Sequence, residues 1–123
     1  MEIIGFLSDN VVNALNIDIP EDRNIYIGET NIIHMKNDHP DDYEKYGQHI
    51  SEILEFPDYV KTNDSNGSIE YVKEFKIDNE YVKVAVRLSN GNKLFARTLY
   101  VLKTSRTNNF INSGKLFPVE KST

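Results

Sequence analysis

The chain has 123 residues and no cysteine or tryptophan, enough for one core but excluding a disulfide framework, thiolate metal sites and a thiol nucleophile. No stretch approaches the ~20 apolar residues of a membrane span, and the acidic apolar start over residues 1–7 is too short for a secretory signal, so a soluble, unprocessed, cytoplasmic protein is expected. The net charge of −5 is unevenly spread: residues 1–80 hold eighteen acids and six bases, residues 81–123 eight bases and Glu120 alone, so either the halves neutralise each other or the basic part meets an anion.

Ser8 can cap a short helix over residues 9–15, with Val11, Val12 and Leu15 on one face and an end near Pro20. Residues 24–28 read as a short strand, and Thr30 as the cap of a helix over 31–38 that buries Ile32, Ile33 and Met35. The chain should bend at His39-Pro40, because a residue before proline is pushed out of the α region. Pro40 suits the first turn of a second helix, with Asp41, Asp42 and Glu44 at its positive end. Beyond Gly47, the spacing of Ile50, Ile53 and Leu54 marks an amphipathic helix that stops before Pro57.

The polar segment 62–68 is a loop rather than a domain boundary, since neither side could bury its apolar face alone; residues 1–123 are therefore one domain. From Ile69 the period changes to 2, giving strands over 69–77, 80–88 and 93–102 joined at Asp78-Asn79 and Asn90-Gly91. Two-residue turns would pair Phe75 with Val82, Tyr71 with Val86, Val86 with Phe95, Val82 with Leu99 and Lys83 with Thr98. Phe75, Val82, Leu99, Tyr71, Val86 and Phe95 then form the core face. A last short helix runs from Thr104 or Ser105 to Ile111, with Gly114 beyond it, and residues 120–123 are expected to fray. The class is α+β, with N-terminal helices packed on an antiparallel meander and a short C-terminal helix.

On the opposite face stand Glu74, Tyr81, Lys83, Arg87, Thr98 and Tyr100. Uncovered sheet faces are commonly polar, but cations, phenols and a hydroxyl together also meet the needs of a single RNA strand: charge for phosphate, rings for stacking, donors for oxygens. Arg97 falls on the buried side with Lys73 and Val84 in this register, unless a bulge moves it to the open face. His34 and His39, five positions apart, would diverge by roughly 140° on one helix. They also lack the spacing of a helical zinc pair, so no metal or other cofactor is expected. Imidazoles beside such a face could transfer the protons of metal-free RNA cleavage, in which a 2′-hydroxyl attacks the adjacent phosphate.

The segments 32–40 (IIHMKNDHP), 50–60 (ISEILEFPDYV), 84–88 (VAVRL) and 97–100 (RTLY), in that order, resemble the phage-associated barnase, EndoU, colicin and RelE-like (BECR) nucleases over about residues 25–117. The resemblance implies an α+β nuclease domain and a metal-independent endoribonuclease of phage or mobile-element origin, possible as a toxin with a cognate inhibitor protein. It matches His34 and His39 to the helical histidines, Arg87 to the base ending the middle strand, and Thr98 and Tyr100 to the following hydroxyl residues. The expected catalytic set is His34, His39, Thr98 and Tyr100, and the substrate-binding set Lys83, Arg87, Arg97 and Tyr81. Two other readings stand beside it: a catalytically silent RNA- or protein-binding module on the same sheet, and an acidic inhibitor or phage component that docks through Asp38, Asp41, Asp42 and Glu44.

Overall fold

A computed structural model of the chain describes residues 1–121. After β1 (Glu2–Phe6), the Ser8 side chain accepts the Val11 N–H and opens α1 (Asp9–Leu15). The helix closes well before Pro20, because Asn16 adopts the left-handed conformation at φ 53°. β2 (Asn24–Ile27) leads into α2 (Glu29–Asp38), which starts two residues earlier than a Thr30 cap would place it: Gly28 takes the capping place, and its N–H donates to Asn31 Oδ1 at 2.8 Å. His39, at φ −141°, ends α2 and precedes α3 (Pro40–Tyr46), so the proline elbow is where the sequence puts it. A 3₁₀ turn (Gly47–His49) and α4 (Ile50–Glu55) follow. Met35, Ile50, Ile53 and Leu54 are buried as expected, whereas Ile33 is exposed.

The remaining elements are β3 (Tyr59–Thr62), β4 (Ile69–Phe75), β5 (Glu80–Leu88), β6 (Leu94–Leu102), α5 (Thr104–Asn112) and β7 (Phe117–Pro118). β4, β5 and β6 pair antiparallel, but they sit inside a seven-stranded mixed sheet of order β1-β2-β6-β5-β4-β3-β7, in which β2 and β6 are parallel. The meander alone is therefore an incomplete account of the sheet. Gly5 lies at an irregularity of β1, where a Cβ would come within 3.0 Å of Leu54 Cδ1; its absence lets α4 approach the strand.

The register differs from the two-residue turns expected. Phe75 faces Glu80 across a four-residue loop, so Tyr71 meets Val84 rather than Val86. At the next turn Ser89 N–H donates to the Lys93 carbonyl, and Asn92 rather than Gly91 takes positive φ, 60°. That three-residue loop shifts the pairing by one, and a bulge at Arg97 shifts it by one more: Val86 faces Ala96, Ala85 faces Thr98. Val82 thus lies opposite Val101, not Leu99, and Lys83 opposite Tyr100, not Thr98. Leu94 and Ala96 are buried in place of Phe95, which turns toward Tyr26 with ring centres 6.0 Å apart.

The core joins Tyr71, Val82, Val84, Val86 and Leu99 of the sheet to Tyr46, Ile50, Ile53 and Leu54 of the helices. α5 lies on the other side, its Thr107 buried and its Arg106 and Phe110 bordering the same hollow as Val72, Lys83 and Leu102. The expected fraying is corrected in part: Asn10 Nδ2 donates to the Glu120 carbonyl at 2.8 Å, and Lys121 pairs with Asp58 at 2.7 Å. Ser122 and Thr123 lie outside the described residues.

Candidate active site on the open sheet face

Parity along β4, β5 and β6 sends Glu70, Lys83, Arg87, Thr98 and Tyr100 to the face away from the helical core. Two clefts run over it. The first, about 520 Å³, is walled by His34 and Asp38 of α2, floored by Glu70 and Lys83, and edged by Arg87, Arg97, Thr98 and Tyr100. α2 reaches this position because β2 pairs with β6 only at Leu94 and Phe95, which frees the rest of that edge for α2 and α3. Asp42 fixes the packing by accepting the Val101 N–H at 3.0 Å.

The bulge brings Arg97 into the cleft beside Arg87, the outcome the sequence left open. Among the described residues neither guanidinium is held in an ion pair. The floor is different. Lys83 Nζ stands 3.3 Å from Glu70 Oε2, with the two side chains 12% and 10% exposed, and Asn63 Nδ2 donates to the same oxygen at 3.2 Å. A carboxylate so enclosed is stable only because both partners satisfy it.

His39 and Tyr81 do not line this cleft. The His39 ring stacks on Tyr100 at 4.8 Å and 27°, while Lys83 Nζ lies 4.5 Å from the same ring centre, so the phenol is held by its neighbours and left to act through its hydroxyl. Tyr81 donates instead to Asn108 Oδ1 of α5 at 3.3 Å, and burial, with Glu74 next in weight, pushes its phenol above the usual value. Glu70 was not singled out from sequence, although it shares the parity of Glu74. Its burial depends on the 62–68 loop, which is a hairpin turn ordered by Asn63 and Asn66 rather than a slack linker.

The second cleft, about 500 Å³, continues past Tyr100 toward α5 and shares Asn63, Glu70, Lys83 and Tyr100 with the first. Five of the eight bases beyond residue 80 (Lys83, Arg87, Arg97, Lys103 and Arg106) line one or both hollows. Lys93 and Lys121 neutralise the acidic half instead, at Asp22 (3.2 Å) and Asp58 (2.7 Å). The halves therefore neutralise each other at Lys93 and Lys121, while five other bases border the clefts. No group of three or more His, Cys, Asp or Glu side chains with the geometry to hold a metal ion occurs among the described residues.

A cation-lined cleft with an imidazole and a buried carboxylate can bind a phosphodiester and move protons around it. A family model described as phage-Barnase-EndoU-ColicinE5/D-RelE like nuclease 3 matches residues 1–109, from β1 through most of α5. No curated protein and no solved structure matches the chain. The family match takes in every strand and helix that builds the first cleft, and the chain belongs to the phage barnase, EndoU, colicin and RelE-like nucleases.

Proposed function

We propose that the protein is an endoribonuclease that cleaves RNA without a metal ion. The observation that carries the reading is the convergence of His34, Glu70, Arg87, Arg97, Thr98 and Tyr100 on one cleft. The 2′-hydroxyl loses its proton to a base, O2′ bonds to phosphorus, the P–O5′ bond breaks, and the departing 5′-oxygen takes a proton from an acid. The products are a 2′,3′-cyclic phosphate and a free 5′-hydroxyl. Of the cleft's titratable groups His34, Asp38 and Glu70, we assign these two roles to His34 and Glu70. Arg87 and Arg97 neutralise the phosphate, and the Thr98 and Tyr100 hydroxyls donate to its oxygens as charge builds up. His39 acts through Tyr100, whose ring it stacks upon.

The test is incubation of labelled RNA with the protein in excess chelator, beside His34→Ala. Removing one proton-transfer group lowers the rate about 10²–10⁴-fold, and kcat/KM varies between about pH 5 and 8, where imidazoles change charge. Equal cleavage by both proteins, cleavage that needs added metal, or a flat profile would each refute the mechanism.

A further inference from the structure

Apart from Asn63, Glu70, Lys83 and Tyr100, the wall it shares with the reacting cleft, the second cleft has no part in the mechanism above. Lys61 comes to it from β3, Lys103 from the capping position of α5 and Arg106 from the first turn of that helix, and among the described residues none of the three is in an ion pair. Its one carboxylate, Glu70, is already paired with Lys83. Exposed cations are often unpaired on ordinary surfaces. These three converge on one concavity from β3 and from the start of α5 and leave it positive, which scattered solvation does not require. Phe110 adds a half-buried ring, with the Arg106 guanidinium 5.4 Å from its centre. That ring lies just beyond residue 109, where the family match ends.

We propose that this cleft is a strand-extension subsite, in which the RNA continues from the reacting phosphate across Tyr100 toward α5. Lys61, Lys103 and Arg106 take flanking phosphates, and a base stacks against Phe110 and Arg106. From Arg97 to Lys103 the strand advances about 20 Å at ~3.4 Å per residue, more than one nucleotide occupies. A ring plus cations reads backbone and π-face rather than base edges, so the subsite selects for length and not for sequence. The proposal rests on the ribonuclease reading for the identity of the strand, but its test does not need cleavage.

Fluorescein-labelled oligothymidylates of two and six nucleotides lack the attacking hydroxyl and report binding alone by anisotropy. The hexamer should bind about tenfold or more tightly than the dinucleotide. Phe110→Ala and Arg106→Gln should each remove about fivefold or more of that advantage, and Arg106→Gln should flatten the slope of log K against log salt by about 0.7. Should Phe110→Ala disturb α5 by circular dichroism, the exposed Arg106 side chain carries the test. Equal affinity for the two lengths, or a hexamer advantage untouched by Arg106→Gln, overturns the subsite. Length-dependent binding without cleavage of unmodified RNA upholds it and removes the enzyme; cleavage without length dependence does the reverse.

Discussion

Lys83 and Glu70 make the floor of the site a measurable energetic unit. At 3.3 Å and an effective dielectric of about 20, their attraction is ~5 kcal/mol before desolvation, and taking both charges out of water costs several kcal/mol for each. The intact pair therefore adds little net stability, while either charge left alone is expensive. Lys83→Met strands a carboxylate only 10% exposed. Breaking such pairs from one side costs about 3–5 kcal/mol, and the remaining Asn63 hydrogen bond keeps this case near 3. Glu70→Gln strands the ammonium beside the Tyr100 ring, which retains part of the interaction, so about 2 kcal/mol is expected. The double variant should return to within ~1 kcal/mol of the parent, giving a coupling of about 4 kcal/mol. Urea unfolding of the four proteins, followed by circular dichroism, measures it, and the same preparations should show the stable double variant to be inactive on RNA. Additive losses in the double variant would refute the paired account, and full activity there would take the pair out of the site.

Deleting Arg97 should preserve the sheet, because Ala96 already faces Val86 and Thr98 would then follow it in regular pairing opposite Ala85. Cooperative unfolding should survive while RNA cleavage falls about tenfold or more for the lost charged contact; parental cleavage would exclude Arg97 from phosphate binding. At the far end of β2, the Tyr26 hydroxyl (2.6 Å), the Asn24 N–H and Lys93 hold the Asp22 carboxyl down, from 3.8 to about 2. A depressed folded-state pKa contributes stability that is present above the ordinary value and lost as pH falls through the folded one. Asp22→Asn should therefore be less stable than the parent near neutrality, with urea midpoints converging between about pH 4 and 2; a constant gap would refute the assignment.

The helices were legible because their signals are local. Ser8, Pro40 and the stripe of Ile50, Ile53 and Leu54 act within a turn or two, where propensity and capping decide the outcome. The face of the sheet was legible for a less direct reason. The longer turn at residues 90–92 and the bulge at Arg97 each displace the pairing by one, and two such errors cancel in a period of two. Thr98 and Tyr100 therefore stand on the expected face, while their neighbours are wrong: Lys83 lies across from Tyr100 and pairs with Glu70. β1, β3 and β7 are brief, and their pairings are settled by contacts distant in sequence, beyond the reach of alternation read in a window. The burial of Glu70 and the removal of His39 and Tyr81 from the cleft are likewise consequences of tertiary packing.

Net charge is a poor guide to what this molecule binds, and the ion pairs explain why. Asp22, Asp58 and Glu80 are answered by Lys93, Lys121 and Lys45 outside the two clefts, and Asp42 is turned into a cap for the Val101 N–H. Of the acids, Asp38 and the Lys83-paired Glu70 are the ones that line the clefts among the described residues. Against them stand Lys61, Arg87, Arg97, Lys103 and Arg106, with low-dielectric walls to concentrate their potential. Under the proposed ribonuclease function, an overall charge of −5 works against long-range attraction of RNA but not against its retention once docked, since screening removes the distant charges within about 8 Å at physiological salt. Association should accordingly be slow for a nuclease of this size, and affinity should be lost mainly through faster release when the cleft cations are removed.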